Sequence, residues 1–166
     1  MKLTGVLVDL VLQGFKRKKL FKVHKKIIYA IEAVVDIALN SGPDPVQNES
    51  IARRQGIPKR YLEQTLQILV KNKILVGSRG PKGGYSLAKE RRRIKISDII
   101  KSVSNENNFN NTFNSELSKK IVLPLINDIS FKCLEKLNNI SIEEVCRIAK
   151  DKNLKQDISK KVDFVI

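Results

Sequence analysis

The sequence predicts a mainly α-helical chain that carries one small β-hairpin and a long C-terminal helix. Three observations support this fold class. Apolar residues recur at helical spacing in several segments before residue 73, a glycine-rich turn then separates two short strand-like segments, and a long amphipathic segment follows an asparagine-rich stretch. The chain has 166 residues, enough to bury a core without metals or disulfides.

Three helices joined by short turns are predicted first. Residues 24–40 have apolar side chains near every 3.6 positions, and a Gly-Pro-rich stretch ends this helix. Residues 48–55 predict a short helix that Gly56 terminates, because glycine tolerates the positive φ of a tight helix–helix turn. Pro58 suits the first turn of the next helix, 59–73. The predicted buried face of that helix is Leu62, Leu66, Leu69 and Val70.

A β-hairpin and a short helix are predicted next. Segments 74–76 and 85–88 are short and apolar, and the eight residues between them include four glycines and a proline, which is typical of a hairpin tip. Residues 94–96 predict a further strand or extended piece. Ser97 is the expected N-cap of a helix that ends at Val103.

The C-terminal part of the chain predicts two more helices. Residues 104–114 are rich in asparagine and predict a linker. Residues 115–137 predict a long amphipathic helix with Pro124 as a candidate kink. Ser141 begins a capping-box pattern for a last helix to about residue 152. The apolar side of the long helix is predicted to be Leu117, Ile121, Leu125, Ile129 and Leu134.

An N-terminal extension, 1–20, and a tail, 153–166, flank these elements. The extension has apolar residues at helical spacing followed by the basic cluster 16–19, with Asp9 inside the apolar part. That order is not typical of a secretory signal peptide. An additional helix packed on the body, or a misassigned start, is favoured over a basic amphipathic helix that touches a membrane or a partner.

Positive charge is concentrated in one part of the chain. The net charge is +15, and residues 51–95 contribute +11 of it, from thirteen basic and two acidic side chains. Residues 106–166 contribute only +1. A general abundance of lysine does not explain this concentration. The pattern favours a surface that binds a polyanion.

Several classes of site are excluded by the residues available. Two cysteines cannot form a disulfide framework or a four-cysteine metal site, and the one histidine, His24, cannot form a histidine-rich site. No apolar run reaches the roughly 18 residues of a membrane-spanning helix. The hairpin tip lacks the Gly-Lys-Ser/Thr of a P-loop. Because no Ser/His/Asp or Cys/His set is available either, an enzyme is not expected.

Two helices around Gly56 followed by a hairpin predict a winged helix-turn-helix. The second of these helices begins with Lys59 and Arg60 and continues to Glu63 and Gln64, and arginine, glutamine and glutamate side chains recognise base edges. Such residues can also simply solvate a surface helix. The adjacent glycine-rich tip with Arg79 and Lys82 favours DNA binding, since an arginine on a narrow tip fits a minor groove.

The sequence resembles the Rrf2 family of bacterial winged-helix transcription regulators over residues 21–103, and more weakly over 115–150. The segments that carry the resemblance are Tyr29-Ala30, Ala52-Arg53-Arg54-Gln55-Gly56-Ile57, Tyr61-Leu62-Glu63-Gln64, Arg79-Gly80-Pro81-Lys82-Gly83-Gly84-Tyr85, Asp98-Ile99-Ile100 and Leu137-Asn138-Asn139-Ile140-Ser141.

The resemblance implies a cytoplasmic homodimer, nucleoid-associated when it is bound to double-stranded DNA at a palindromic operator. Residues 115–152 would be the dimerisation helices, with 115–137 as the dimer seam. Within the DNA-binding domain, 21–103, the helix 59–73 would contact the major groove, and the hairpin tip would enter the minor groove. The implied DNA-binding residues are Lys59, Arg60, Tyr61, Glu63, Gln64, Arg79, Gly80, Pro81, Lys82 and Gly83.

The chain departs from the family pattern at its cysteines. Many members carry three cysteines before the dimer helix that bind an iron–sulfur cluster, whereas residues 105–120 contain neither cysteine nor histidine. Where some members place a histidine early in that helix, this chain has Leu123. Cys133 and Cys146 are expected to be small core residues. We therefore expect no iron–sulfur cluster and no other cofactor.

Two alternatives to a sequence-specific regulator stay open at this point. One is a regulator whose output depends on a protein partner, and the other is a nonspecific basic nucleic-acid binder. The run Arg91–Arg93 is equally compatible with a phosphate clamp and with a solvated turn. His24, at the predicted start of the first helix, is expected to be a surface residue.

Overall fold

The computed structural model describes residues 23–104 and 113–152. The predicted extension, the tail and most of the predicted linker lie outside the described residues. The elements are α1 (Lys25–Leu39), α2 (Asn48–Gln55), α3 (Lys59–Lys71), β1 (Leu75–Ser78), β2 (Gly84–Leu87), a 3₁₀ turn (Arg91–Arg93), α4 (Ile96–Val103), a π-helical turn (Ser118–Val122), α5 (Leu123–Asn138) and α6 (Ile142–Asp151). The predicted mainly α fold with a small hairpin is confirmed.

Helix α1 forms the centre of the core. It contacts α2, α3, α4, α6 and β2. Three of its buried residues, Ala30, Ala33 and Ala38, have small side chains that let neighbouring helices approach closely. Fully buried branched side chains from the surrounding elements fill the remaining space, chiefly Ile51, Leu62, Leu66, Leu69, Leu75, Ile99 and Ile142.

The end of α3 is fixed by a tight left-handed turn. Lys73 has φ 57°, the one non-glycine residue with positive φ among the described residues. The Lys73 N–H donates to the Val70 carbonyl (3.0 Å), and the Ile74 N–H donates to the Leu69 carbonyl (3.0 Å). These two hydrogen bonds make a Schellman motif, in which glycine usually occupies the left-handed position.

The segment before α4 is extended, as the sequence predicted for residues 94–96. It pairs with the segment before α6 through two hydrogen bonds, from the Ile96 N–H to the Ile140 carbonyl (3.0 Å) and from the Ile142 N–H to the Ile94 carbonyl (2.9 Å). This short antiparallel pairing joins the part of the chain that precedes α4 to its C-terminal helices.

The predicted N-cap of α4 was wrong. The helix begins two residues earlier than expected, with Lys95 at the N-cap, and the Asp98 carboxylate accepts a hydrogen bond from the Lys95 N–H (3.1 Å). Ser97 is instead fully buried, and its hydroxyl donates to the side-chain oxygen of Asn138 (2.9 Å). A tertiary hydrogen bond to α5 therefore replaces the local cap.

The predicted long helix is present, and a π-helical turn lies within it near its start. Residues 116–117 are α-helical, the π-helical turn follows, and Pro124 lies in the first turn of α5. Proline lacks an N–H and crowds the carbonyl four residues earlier, so a wider turn accommodates it. The last helix starts as predicted, since the Ser141 hydroxyl accepts a hydrogen bond from the Glu144 N–H (3.3 Å).

The outward side of α5 and of the turn before it carries several exposed apolar side chains. Leu117, Ile121 and Leu125 are 63%, 59% and 58% exposed, and Ile129 is also exposed. The predicted apolar stripe is divided, because Leu134 is half-buried whereas the other four residues are exposed. Val122 and Phe131 are further exposed apolar residues of this segment.

The two cysteines lie in different environments. Cys146 is buried in α6, as predicted, and burial raises the pKa of its thiol. Cys133 is exposed in the single chain, so the prediction that it is a core residue was wrong. The sequence places both in apolar helices, but Cys133 is not on the side of α5 that packs on the body.

Candidate nucleic-acid interface

The turn between α2 and α3 sets the angle of a helix-turn-helix. Gly56 ends α2 in the left-handed conformation (φ 64°) and its N–H donates to the Ala52 carbonyl. The next residue, Ile57, is buried and its N–H bonds to the same Ala52 carbonyl (3.1 Å). Pro58 then precedes the first residue of α3. Gly56 therefore adopts the positive φ that the sequence predicts for this tight helix–helix turn.

Helix α3 has two clearly different faces. Leu62, Thr65, Leu66 and Leu69 are buried, and the Thr65 hydroxyl donates to the Tyr61 carbonyl (3.0 Å). The five residues of this helix that the sequence predicts as DNA contacts are all exposed, namely Lys59, Arg60, Tyr61, Glu63 and Gln64. The first two turns of α3 thus present basic, amide and carboxylate groups together to solvent.

Two of these side chains have partners within the protein. The ring of Tyr61 meets that of Tyr29 in α1 edge-to-face, with ring centroids 5.5 Å apart and an interplanar angle of 82°. The Lys59 ammonium lies 3.6 Å from the Glu49 carboxylate, in an exposed pair. Such a surface pair contributes little to stability, so a phosphate can compete for Lys59.

A buried ion pair orients α2 against α1. Asp36 is only 2% exposed. Its carboxylate accepts hydrogen bonds from Arg54 Nε (2.9 Å), from the Arg54 guanidinium terminus (2.7 Å) and from Gln55 Nε2 (2.7 Å). Sequence reasoning counted Arg54 in the basic patch and missed this role. The lone aspartate within the apolar helix 24–40 was the available signal.

The wing consists of β1, β2 and the loop between them. The two strands are antiparallel, with Leu75 opposite Leu87 and Ser78 opposite Gly84. Here the predicted strands were shifted by one or two residues, because the observed pairing extends into the glycine-rich segment.

The wing tip is a tight turn that depends on glycine. Gly80 has φ 103°, and its carbonyl accepts a hydrogen bond from the Gly83 N–H (2.9 Å). A Cβ on Gly83 would lie 2.5 Å from the Ser78 carbonyl oxygen, so no other residue fits there without backbone movement. Arg79, Pro81 and Lys82 are exposed on this tip.

The wing is joined to the helix-turn-helix by a backbone contact that sequence reasoning missed. The Val46 N–H donates to the Tyr85 carbonyl (2.9 Å), and the Tyr85 N–H donates to the Val46 carbonyl (2.8 Å). Gly84 allows this approach, since a Cβ there would lie 2.5 Å from the Val46 oxygen. The side-chain amide of Gln47 also donates to the Pro81 carbonyl (3.5 Å). The sequence signal for this backbone contact was Val46, a β-branched residue shortly before α2.

The exposed start of α3 and the wing also interact electrostatically. Burial raises the pKa of the Tyr85 phenol, and the negative charge of Glu63 raises it further. The Glu63 carboxylate on α3 therefore lies close enough to Tyr85 of the wing to interact with it electrostatically. The structure brings the two predicted groups of site residues together through Val46, Gln47 and Tyr85.

Only part of the arginine run after the wing, Arg91–Arg93, is exposed and without an acidic neighbour. It forms the 3₁₀ turn, in which Arg92 pairs with Glu90 and Arg93 is exposed. Arg91 is partly buried beside α6, where its charge opposes the increase in the pKa of Cys146. His24 precedes α1 and is exposed, as predicted.

Comparison with known proteins gives one consistent result. The family described as "Rrf2: Iron-dependent Transcriptional regulator" matches residues 23–148. The chain belongs to the Rrf2 family. Its named relatives are transcriptional regulators rather than enzymes, as the sequence predicted for this chain.

Individual Rrf2 relatives agree with this assignment. The regulator IscR of Sodalis glossinidius is 34% identical over 121 residues, which cover 70% of this chain and 73% of the relative. IscR of Cronobacter sakazakii is 44% identical over 75 residues, so the chain spans about half (46%) of that relative's length.

Solved structures of the Rrf2 family have the same winged helix fold. T. potens IscR has a TM-score of 0.65 at 32% identity and covers 82% of this chain and 93% of its own. CymR of B. subtilis, described as its global cysteine regulator, has a TM-score of 0.59 at 25% identity, with 77% and 98% covered.

A metal-binding cluster and a membrane-spanning helix are both absent from the part of the chain that the structure describes. Among residues 23–104 and 113–152, no group of three or more His, Cys, Asp or Glu side chains is arranged to hold a metal ion. Within the same ranges, no helix is both long and apolar enough to cross a bilayer.

Proposed function

We propose that this Rrf2-family protein is a cytoplasmic regulator that binds a palindromic operator sequence-specifically as a homodimer, without an iron–sulfur cluster. The observation that carries the proposal is the connection of the exposed start of α3 to the wing tip. Two Val46–Tyr85 hydrogen bonds and the Gln47–Pro81 contact hold both parts in one unit. A rigid pair of contact elements is what simultaneous binding in two neighbouring grooves requires.

The exposed face of α3 supports major-groove recognition. Gln64 can bond bidentately to adenine, Arg60 to guanine, and Glu63 can accept a hydrogen bond from cytosine. Their exposure leaves all three free to contact bases, and the buried leucines on the opposite face anchor the helix. Tyr61 is held against Tyr29, so its phenol is presented at a fixed position beside the DNA backbone.

The wing tip supports a minor-groove contact. Arg79 and Lys82 flank a narrow turn whose glycines keep the backbone slim. Arginine is attracted to the enhanced negative potential of a narrow minor groove. Lys82 is assigned to a phosphate, and Gly80, Pro81 and Gly83 to the close backbone approach.

The exposed apolar side of α5 supports the homodimer. Leu117, Ile121, Leu125 and Ile129 form a stripe of large apolar side chains that a single chain leaves in water. A second copy covers such a stripe by two-fold symmetry, and two-fold symmetry in the protein implies a palindromic site in the DNA.

The residues available do not fit an iron–sulfur cluster. Clusters of this kind are bound by four thiolate or imidazole ligands, and the whole chain has two cysteines and one histidine. Cys146 is buried in the core and Cys133 is exposed on α5. We expect colourless protein after anaerobic purification, with iron and sulfide far below one cluster per chain. Stoichiometric iron and sulfide with visible absorbance would contradict this part of the proposal.

Selection of bound sequences from a random duplex pool tests the regulatory proposal directly. The expected result is an enriched palindrome that metal-free protein binds roughly 10³-fold or more tightly than a scrambled duplex. Equal affinity for both duplexes at the same salt concentration would favour a nonspecific binder. Loss of bulk DNA affinity without an enriched site would favour a regulator that needs a protein partner.

A further inference from the structure

A cleft of about 540 Å³ lies between the 3₁₀ turn and α6. This volume is within the roughly 300–1,000 Å³ that small-molecule sites occupy. Arg91 of the turn forms one wall, and residues of α6 with its N-cap, Ser141, form the other. None of the residues assigned to the α3 and wing contacts lines this cleft.

The two walls of the cleft are held in place by the backbone. Ile94 directly follows the 3₁₀ turn and Ile142 is the first residue of α6. The Ile142 N–H donates to the Ile94 carbonyl (2.9 Å), and the turn itself contacts α6. The cleft is therefore preformed, which lowers the conformational cost of binding a ligand.

One side of α6 supplies most of the lining. Cys146 lines the cleft together with residues three or four positions away, which share its side of the helix, namely Glu143, Arg147 and Lys150. Cys146 is 2% exposed, whereas these three neighbours are exposed. Burial raises the pKa of the Cys146 thiol, while the positive charge of Arg91 lowers it. The half-buried Arg91 guanidinium thus lies near the Cys146 side chain, across the cleft from the exposed bases of α6.

The charged groups of the cleft differ in whether local structure accounts for them. Glu143 and Glu144 lie in the first turn of α6, whose positive end stabilises them, and Lys150 lies in the last turn, beside the negative end. Arg91 and Arg147 have no such explanation. Within residues 23–104 and 113–152, neither arginine forms an ion pair. An anion in the cleft would supply the partner that these guanidinium groups lack.

We propose that this cleft binds a small anionic molecule whose carboxylate or phosphate group is contacted by Arg91 and Arg147. The planar guanidinium group matches the paired oxygens of either anion. The two glutamates of the lining limit the negative charge that the ligand carries, so a small molecule with one or two charges is expected. Such a ligand bridges the segment after the wing and α6. Its binding does not need DNA, so this site and the proposed DNA contacts are tested separately.

Titration of ¹⁵N-labelled full-length protein, without DNA and at low ionic strength, tests the site. Succinate and inorganic phosphate are added in separate experiments, and amide chemical shifts are followed by NMR. We expect saturable shifts at Arg91 and within residues 141–150 with at least one probe. The probe that binds more tightly identifies the anionic group that the cleft prefers.

Two variants of equal charge locate the contact. Arg91→Gln combined with Arg147→Gln should weaken binding by about tenfold or more, because hydrogen bonds to a charged group are lost. The control, Arg93→Gln with Lys101→Gln, removes two exposed bases outside the lining, one of them from the same 3₁₀ turn, and should bind like wild type. Arg147→Gln alone changes an exposed residue, so its effect is measured on protein that keeps the half-buried Arg91.

The proposal is overturned if neither probe gives saturable shifts, or if Arg147→Gln and the control variant bind the probes equally well. Shifts confined to the start of α3 and the wing tip would also overturn it, since the anion then occupies the proposed DNA surface. Failure of the proposed function is a separate result: the protein would not distinguish operator from scrambled duplex, while the shifts at the cleft would be unchanged.

Discussion

In residues 51–95 thirteen basic side chains outnumber two acidic ones, whereas in residues 113–152 seven basic side chains stand beside six acidic ones. Within the second region, Lys120 pairs with Glu116 and Lys132 with Asp128, both exposed and four residues apart. The first region leaves most of its bases exposed, although Arg54 is held in the buried pair with Asp36. The second neutralises its charges locally and exposes apolar side chains instead.

The two regions also differ in what fixes their geometry. The helix-turn-helix and wing depend on specific polar and backbone contacts, such as the Asp36–Arg54 pair and the Val46–Tyr85 pairing. Helix α5 has half-buried side chains on one side and an exposed apolar stripe on the other. A surface that recognises DNA needs defined side-chain positions, whereas in the proposed homodimer a second copy covers the apolar stripe.

The largest expected effect comes from breaking the apolar stripe. Leu125→Asp removes a large apolar group and introduces a charge at each of two symmetry-related positions. Since burying one leucine contributes about 1.5–3 kcal/mol, the dimer should lose about 3–6 kcal/mol or more. Light scattering during size-exclusion chromatography should show a monomer, and Leu125→Met should stay dimeric. Dimeric Leu125→Asp protein would place the interface elsewhere.

A nearly equal effect is expected on folding when the buried ion pair is broken. Asp36→Ala leaves the Arg54 guanidinium largely buried without its carboxylate, which should cost about 3–5 kcal/mol of unfolding free energy. Asp128→Ala breaks an exposed pair and should cost less than about 1 kcal/mol. Urea denaturation at fixed protein concentration compares them. Similar losses in both variants would mean that burial of Asp36 does not govern its contribution.

Two substitutions in the DNA-binding half separate base recognition from phosphate binding. Gln64→Ala should weaken operator binding by about 1–3 kcal/mol and relax the base preference at one position in each half-site. Lys82→Ala should weaken all duplexes alike and lower the salt slope by about 0.9 per phosphate. Fluorescence anisotropy with operator and scrambled duplexes tests both. A uniform decrease in affinity for both variants would contradict the assignment of base contacts to α3.

The smallest effect concerns the left-handed turn after α3. Lys73→Gly removes the steric cost of positive φ, about 1–2 kcal/mol, and adds about 0.5–1 kcal/mol of backbone entropy in the unfolded chain. Thermal unfolding should show a slight net stabilisation. Gly56→Ala, at the other left-handed turn, should change stability in the opposite direction. Destabilisation by Lys73→Gly would mean that the lysine side chain itself contributes a contact.

Local patterns in the sequence were enough to predict most of the fold. Helical periodicity, Gly56 and the glycine-rich tip each impose a conformation on their own neighbours, so the helix-turn-helix and the hairpin followed from them. Every predicted contact residue of α3 is exposed for the same reason, because the positions of the leucines determine the opposite face.

Features that depend on distant partners were not predictable. Serine is a residue type that commonly caps helices, but Ser97 is buried and hydrogen-bonded to Asn138. The exposure of Cys133 depends on which side of α5 packs against the rest of the domain. The pairing of Val46 with Tyr85 joins residues 39 positions apart. None of these contacts leaves a periodic signal in the sequence.

The fixed attachment of the wing has a consequence for operator architecture. Val46 lies just before α2 in the chain and is hydrogen-bonded to Tyr85 of β2. The distance between the proposed DNA contacts of α3 and of the wing is therefore fixed by the protein. One base pair inserted between the two contacted positions would move them apart by about 3.4 Å and rotate them by about a tenth of a turn. Operators of this regulator should therefore tolerate base substitutions within a half-site far better than insertions.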